Sequence, residues 1–158
     1  MKLKYVDAFL DVAERFAKLS SAKRAQVGAI IVKDNRIISI GYNGMPSGWD
    51  NVCEECCDGG GPVGAGCYHD HCNGPKTKPE VLHAEANAIL KVAKSTNSCD
   101  QATLYLTLSP CKECAKLIHQ SGIKRLVYLK KYKDTTGLNF LKKAGVIIEQ
   151  INFENFEK

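Results

Sequence analysis

Strand patterns and helix patterns alternate through the second half of this sequence, from residue 81 to residue 153. The alternating segments are, in order, VLHAEANAILKVAKS, ATLYLTLS, PCKECAKLIHQSG, RLVYLKKY, TTGLNFLKKAG and VIIEQINF. A helix that connects two strands returns the chain to the sheet and buries its apolar face there. This alternation therefore predicts an α/β fold with helices layered on a sheet.

The first half of the chain predicts a helix and then a β-hairpin. Apolar residues recur at three- and four-residue steps from Leu3 to Ala17, which is typical of an amphipathic helix that ends near Ser20 or Ser21. The runs VGAIIVKD and RIISIGYN then predict adjacent strands joined by a tight turn. With 158 residues, we expect one domain that spans residues 1–158.

Composition excludes several classes of protein. With 44% apolar and 25% charged residues, the chain falls in the globular range rather than the disordered or collagenous range. No stretch is apolar for long enough to be a signal peptide or a membrane span, so we expect a cytoplasmic protein without a membrane partner. The net charge of +5 could attract an anionic substrate, but the lysines are scattered and predict no nucleic-acid partner.

Two short motifs at the starts of predicted helices contain candidate metal ligands. HAEANAI places His83 and Glu85 in one first turn, and PCKEC places Cys111 and Cys114 in another. One imidazole and two thiolates fill three of the four tetrahedral positions of zinc and leave the fourth for water, which is typical of a catalytic site. Zinc lowers the pKa of such a water towards ~7, and Glu85 is close enough to carry protons between water and substrate.

A second group of soft ligands lies in a loop without periodicity, between residues 44 and 80. Its seven members are Cys53, Cys56, Cys57, Cys67, His69, His71 and Cys72. One structural zinc requires four ligands, so we expect at least one structural zinc, and a second if a thiolate bridges or an outside residue joins. The alternative is a loop of free thiols, since a Cys-rich tract is evidence from composition only.

Three segments together resemble one enzyme family. HAEANAI, LSPCKECAKLIHQSGIKRLVY and VGAIIVKDNRIISIGYNGMPSG are similar to segments of the deoxycytidylate (dCMP) deaminases, within the cytidine-deaminase-like superfamily. The pairing of H-x-E with P-C-x-x-C is the signature of zinc deaminases. The resemblance implies a three-layer α/β/α fold with a five-stranded mixed sheet. It also implies hydrolysis of the 4-amino group of dCMP, with dUMP and ammonia as products.

The same resemblance implies roles for individual residues. It makes His83, Cys111 and Cys114 the ligands of a catalytic zinc, and Glu85 the residue that protonates ring N3 and then the departing amine. Five positions would contact the nucleoside: Val27, Asn43, Ala84, Ser109 and Tyr132. Four cations that flank these elements are candidates for the 5′-phosphate: Arg24, Lys130, Lys131 and Lys133. Each of these roles has an alternative. Val27 could only pack in the core, Asn43 could only form a turn, and Tyr132 could only be an aromatic at a strand end. The cations could be solvated surface charge.

The segment around Asn43 resembles a regulatory site. Family members with a GYNGMPSG-like segment are commonly hexamers in which dCTP activates and dTTP inhibits, with Mg²⁺ accompanying the triphosphate. We therefore expect a homo-oligomer, with a hexamer favoured, and nucleotide effectors at Tyr42, Gly44, Met45, Pro46 and Ser47. The alternative is that the glycines and the proline only form a turn.

Two other functions share parts of this pattern. A tRNA or nucleic-acid base deaminase has the same zinc signature but takes its base from a polymer, through a basic and aromatic-lined approach. Asn87 in HAEANAI and the GYNGMPSG segment favour the nucleotide family instead. A non-catalytic zinc-binding module is the third hypothesis. Glu85 argues against it, because a purely structural site has no use for a carboxylate beside the fourth position.

Overall fold

Four helices and seven strands make up the part of the chain that the computed structural model describes, residues 3–56 and 75–152. The helices are α1 (Leu3–Ala17), α2 (Ala84–Ala93), α3 (Lys112–Gln120) and α4 (Thr136–Lys143). The strands are β1 (Gly28–Lys33), β2 (Arg36–Tyr42), β3 (Glu54–Glu55), β4 (Lys76–Thr77), β5 (Thr103–Leu108), β6 (Arg125–Lys130) and β7 (Ile147–Gln150). The helices and strands expected from periodicity are all present, and the short pair β3 and β4 is additional.

Five of these strands form one mixed sheet in the order β2-β1-β5-β6-β7. Strand β1 pairs antiparallel with β2 and with β5, whereas β5, β6 and β7 are parallel neighbours linked by α3 and α4. The hairpin from β1 to β2 turns at Asp34 and Asn35, whose φ angles of 50° and 61° suit a two-residue turn with left-handed central residues. The predicted five-stranded mixed sheet is therefore confirmed.

Helices cover both faces of the sheet. Ile30 and Tyr105 pack with α1 on one face, whereas Ile31 and Leu104 pack with α2, α3 and α4 on the other. Successive side chains of a strand point to opposite faces, so the apolar strands β1 and β5 are buried on both sides. The result is the predicted three-layer α/β/α arrangement. None of the four described helices is both long enough and apolar enough to cross a bilayer.

Candidate active site

His83, Cys111 and Cys114 converge at the starts of two helices. His83 is the N-cap of α2, and Cys111 is the N-cap of α3. The Nδ1 atom of His83 lies 3.6 Å from the Sγ atom of Cys111 and 3.4 Å from that of Cys114. The backbone N–H of Cys114 donates to the Sγ atom of Cys111 over 3.5 Å. The structure thus brings the three predicted ligands into one cluster, with their ligand atoms within 4.8 Å of one another.

Two glycines allow the helix starts to come this close. A Cβ atom on Gly41, in β2, would lie 2.1 Å from the carbonyl oxygen of Ala84, next to His83. A Cβ atom on Gly137, in the first turn of α4, would lie 2.2 Å from the carbonyl oxygen of Pro110, next to Cys111. Only a residue without a Cβ atom permits such a backbone approach. Both ligand-bearing segments are therefore positioned by direct backbone packing.

The cluster fits a tetrahedral zinc ion. With Zn–S distances of ~2.3 Å and Zn–N distances of ~2.0–2.1 Å, a tetrahedral ion places its sulfur and nitrogen ligands about 3.6 Å apart. The observed separations of 3.4 Å and 3.6 Å from His83 to the two sulfur atoms agree with this geometry. One imidazole and two thiols are also donors that zinc prefers, and three protein ligands leave one position for water or substrate.

The electrostatics of the cluster favour a thiolate at Cys111. The pKa of Cys111 is lowered to about 3, because the side chains of Cys114 and His83 hydrogen-bond to its sulfur. The same interaction with Cys111, together with burial, raises the pKa of Cys114. The pKa of His83 is raised, mainly because of its hydrogen bond to Cys111. Since the thiolate is the form of cysteine that binds metals, this cluster is suited to a cation.

A cavity of about 380 Å³ opens onto this cluster. Its volume falls in the range of ~300–1,000 Å³ that is typical of small-molecule sites. His83, Cys111 and Glu85 line the cavity, and Cys114 is buried. The five residues predicted to contact a nucleoside also line it: Val27, Asn43, Ala84, Ser109 and Tyr132. The cavity therefore joins the candidate metal ligands to the candidate substrate contacts.

Glu85 is a buried carboxyl group in the wall of this cavity. It lies in the first turn of α2 and is only 4% exposed. Burial is the main cause that raises its pKa, because desolvation penalises the charged form. A carboxyl group with a raised pKa accepts and returns protons more readily near neutral pH. Burial, a raised pKa and a place in the cavity wall are the properties expected of a proton-transfer residue, so Glu85 is the candidate for that role.

Side-chain hydrogen bonds hold the cavity wall on either side. The Oδ1 atom of Asn43 accepts from the backbone N–H of Val27, and its Nδ2 atom donates to the carbonyl of Ala25, both over 2.8 Å. The hydroxyl of Ser109 accepts from the backbone N–H of Tyr132, also over 2.8 Å. The amide of Asn43 retains one lone pair and one N–H for a ligand. Asn43 can therefore support the wall and contact a substrate at once.

The four candidate phosphate-binding cations divide into two pairs. Arg24 and Lys133 line the cavity, whereas Lys130 and Lys131 are exposed and lie outside its described lining. The Nη1 atom of Arg24 lies 3.5 Å from the hydroxyl of Thr77.

The polar lining residues that sequence reasoning did not find are Glu54 and Thr77. They belong to β3 and β4, which are two residues long and too short to show a strand periodicity.

Only two of the seven loop ligands belong to the described residues. Cys53 is buried, and its Sγ atom lies 3.2 Å from the hydroxyl of Ser21. Cys56 is half-buried. The other five lie outside the described residues: Cys57, Cys67, His69, His71 and Cys72. The structural zinc therefore stays a prediction.

A second cavity, of about 760 Å³, lies beside the first. It is lined by all five candidate regulatory residues: Tyr42, Gly44, Met45, Pro46 and Ser47. Lys91 of α2 and Lys94, the C-cap residue of that helix, add two cationic side chains to its lining. Asn43 lines both cavities, so one residue connects the two spaces.

The sheet is mixed and five-stranded, and a His-Cys-Cys cluster and a buried glutamate lie at the starts of two of its helices. This combination defines the class of zinc-binding base deaminases. Residues 3–130 match the model of the cytidine and deoxycytidylate deaminase zinc-binding region. The chain belongs to this family. The predicted family and the predicted deaminase class of enzyme are thereby confirmed.

Relatives named deoxycytidylate deaminase match most of the chain. The enzyme of Enterobacteria phage T4 is 34% identical over an alignment of 175 positions, which covers 94% of this chain and 91% of the phage protein. The human enzyme is 40% identical over 143 residues, which cover 84% of this chain and 69% of the human protein. The dCMP deaminase of cyanophage S-TIM5, solved in complex with dCMP and dUMP, superposes with a TM-score of 0.82 at 40% identity. This superposition covers 96% of this chain and 99% of the cyanophage chain.

Proposed function

We propose that this chain hydrolyses dCMP to dUMP and ammonia, with a catalytic zinc ion held by His83, Cys111 and Cys114. The observation that carries the proposal is the position of Glu85, buried beside the His-Cys-Cys cluster in the wall of a nucleoside-sized cavity. The relatives named deoxycytidylate deaminase support the choice of dCMP as substrate.

The reaction requires proton transfers that Glu85 is placed to perform. Bound zinc would supply a water of lowered pKa as the nucleophile. Glu85 takes one proton from this water and gives it to ring N3, where it remains in the product. It then moves the second water proton to the 4-amino group, which leaves as ammonia while the C4–O bond replaces the C4–N bond. Both water protons and the broken C4–N bond are thereby accounted for without another reactant.

The cavity lining supplies contacts along the whole substrate. The backbone N–H of Ala84 and the carbonyl of Ser109 face the pyrimidine edge in this proposal, and Val27 and Tyr132 pack beside the base. Asn43 uses its remaining hydrogen-bonding capacity on the sugar. Arg24 and Lys133 are the cations that the cavity offers to the 5′-phosphate. A nucleoside monophosphate therefore matches both the polar and the charged parts of the lining.

We also propose regulation by dCTP and dTTP at the second cavity, in a hexamer and with Mg²⁺ accompanying the triphosphate. Two lysines on the lining provide charge for such an anion, and the lining shares Asn43 with the active-site cavity. A nucleotide bound there could shift a substrate contact without touching the zinc ligands.

Two further parts of the proposal concern the chain as a whole. Residues 1–158 form one domain, and the loop from residue 53 to residue 72 holds a structural zinc. The support for this zinc is the density of soft ligands in the loop, which contains five cysteines and two histidines. A metal would also offset the entropy of ordering a glycine-rich segment that has little apolar surface to bury.

Ammonia release from a panel of substrates tests the proposed function. The panel contains dCMP, CMP, dCTP, deoxycytidine and short single-stranded oligonucleotides, each supplied to zinc-loaded protein. The proposal predicts that dCMP has the highest kcat/KM. Preferential deamination of oligonucleotides or tRNA would instead support the nucleic-acid deaminase, and release from no substrate would support the non-catalytic zinc module.

A further inference from the structure

Glu54 is a buried carboxylate in the wall of the active-site cavity, and the proposed reaction gives it no catalytic role. It is only 2% exposed and lines the cavity on β3. A buried carboxylate is costly unless hydrogen bonds compensate its charge. A negative group is also unfavourable beside a cavity that takes an anionic nucleotide, so its presence requires a specific explanation.

The partners of Glu54 provide that explanation. Its Oε1 atom accepts from the backbone N–H of Lys23 over 2.8 Å and from that of Arg24 over 3.1 Å. Hydrogen bonds between a carboxylate and backbone N–H groups are stronger than neutral ones. Glu54 therefore fixes the backbone of the connection between α1 and β1 at Arg24, one of the two candidate phosphate-binding cations in the cavity lining.

The residue opposite Glu54 contacts the other end of Arg24. Glu54 and Thr77 are cross-strand partners in the antiparallel pair of β3 and β4, so their side chains share one face. The hydroxyl of Thr77 lies 3.5 Å from the Nη1 atom of Arg24. One cross-strand pair thus contacts both the backbone and the guanidinium of Arg24, and all three residues line the cavity.

We propose that Glu54 is a positioning residue that holds Arg24 over the cavity and so sets the preference for a 5′-monophosphate over an unphosphorylated nucleoside. This inference rests on the proposed function, because it assigns the phosphate-binding part of the same site. Glu54 acts through Arg24 and does not touch the reacting atoms. Thr77 assists by keeping the guanidinium beside the hairpin.

The test compares a nucleotide with its nucleoside in three variants. Glu54→Ala removes the acceptor, Glu54→Gln keeps a carbonyl oxygen at the same position without the charge, and Arg24→Gln removes the guanidinium. Glu54→Ala is expected to raise KM for dCMP about 10-fold or more, as for the loss of a hydrogen bond to a charged group, and to leave kcat unchanged. Its kcat/KM for deoxycytidine is expected to match that of the unsubstituted protein. Glu54→Gln is expected to restore the low KM for dCMP.

A double variant separates positioning from general damage. If Glu54 acts through Arg24, then Glu54→Ala in the Arg24→Gln background should have little further effect on KM for dCMP, whereas independent effects would multiply. Equal losses for dCMP and deoxycytidine, or multiplying losses in the double variant, would overturn the proposal. Circular dichroism checks the fold. If Glu54→Ala does not fold, Thr77→Val, which removes the hydroxyl beside the guanidinium, is compared with Arg24→Gln under the same criteria.

Binding of the product gives a second reading that does not depend on turnover. Calorimetry with dUMP and deoxyuridine should show tighter binding of dUMP to the unsubstituted protein, and Glu54→Ala should remove most of that difference. If dUMP is preferred but Glu54→Ala leaves the preference intact, the role of Glu54 is wrong while the deaminase function stands. If dCMP is not deaminated at all, the proposed function fails, and the dUMP comparison still decides whether Glu54 sets phosphate preference.

Discussion

Gly44 exchanges two backbone hydrogen bonds with Leu82, the residue before His83. The Gly44 N–H donates to the Leu82 carbonyl over 3.1 Å, and the Leu82 N–H donates to the Gly44 carbonyl over 2.9 Å. In addition, the side chain of Asn87 in α2 donates to the carbonyl of Tyr42 over 2.8 Å. The candidate regulatory segment is therefore bonded directly to the segment that carries a candidate zinc ligand, His83, and the candidate proton-transfer residue, Glu85.

This connection predicts that effectors change the binding of dCMP. Saturation curves for dCMP should differ between dCTP, dTTP and no effector, at fixed Mg²⁺. Allosteric coupling of the usual size, ~1–3 kcal/mol, would change apparent affinity roughly 5- to 150-fold. Sedimentation of the same samples should show a hexamer. Superimposable curves in all three conditions would exclude regulation and leave the deaminase assignment intact.

Gly41→Ala should destabilise the protein and weaken zinc binding. The new Cβ atom would lie 2.1 Å from the carbonyl oxygen of Ala84, so α2 must move away from β2 together with His83 and Glu85. Steric conflicts in a packed interior typically cost ~1–3 kcal/mol, occasionally more. The matched control is Gly44→Ala, where a Cβ atom would meet nothing within 4 Å. Chemical unfolding of both variants measures the difference, and equal stabilities would contradict this packing argument.

A pH-dependent contribution to stability is expected from Arg125 and Glu149 at the neighbouring strands β6 and β7. The guanidinium donates to both carboxylate oxygens, over 2.8 Å and 2.6 Å, and lowers the pKa of Glu149. Because the folded pKa is below the ordinary value of about 4.3, the pair stabilises the fold above that pH. The contribution disappears as pH falls through the lowered pKa. Since Glu149 is 40% exposed, we expect only ~0.2–1 kcal/mol.

The measurement is the difference in free energy of unfolding between the unsubstituted protein and Glu149→Gln, from pH 3 to pH 7. This difference should be largest near neutral pH and should shrink towards pH 3. Exposed Glu80 provides the control, since Glu80→Gln removes a carboxylate for which the structure shows no ion pair among the described residues. A difference that grows on acidification would contradict the assigned ion pair.

Zinc should remain in the protein after the catalytic cluster is broken. His83→Ala, purified under reducing conditions that keep the thiols free, should lose one zinc per chain and retain the zinc that we propose for the loop. His119→Ala is the control, because His119 lies on the exposed surface of α3, outside the cluster. Metal analysis that finds no zinc in folded His83→Ala would show that the loop binds none.

The elements of the fold were predictable where local sequence determines local structure. Alternating strand and helix patterns marked the sheet and its crossovers, because a buried strand and an amphipathic helix each have their own periodicity. His83, Glu85, Cys111 and Cys114 were found for a similar reason, since the spacing of their motifs places them in first turns of helices. Their convergence depends on two glycines that pack against segments distant in sequence. Gly41 packs against the start of α2 at Ala84, and Gly137 packs against the segment before α3 at Pro110.

The polar part of the site that sequence reasoning missed is formed by non-local pairing. Glu54 faces the cavity because β3 pairs with β4, across residues 57–74. Two-residue strands have no periodicity, and a glutamate among cysteines resembles any surface carboxylate. The sequence also did not show that Lys133 lines the cavity whereas Lys130 and Lys131 do not, because this depends on the path of the chain at the end of β6.

Formation of dUMP from dCMP by zinc-loaded Glu85→Gln, beside the unsubstituted protein, tests the central claim most directly. Glutamine keeps the size of the side chain, and Glu85 is not one of the three candidate zinc ligands, so zinc content should be equal in the two proteins. Glutamine cannot carry the proton. Turnover of the variant should fall about 10²- to 10⁴-fold, the usual contribution of general acid–base catalysis. Near-normal turnover of the variant, or no dUMP from the unsubstituted protein, would contradict the proposed deaminase mechanism.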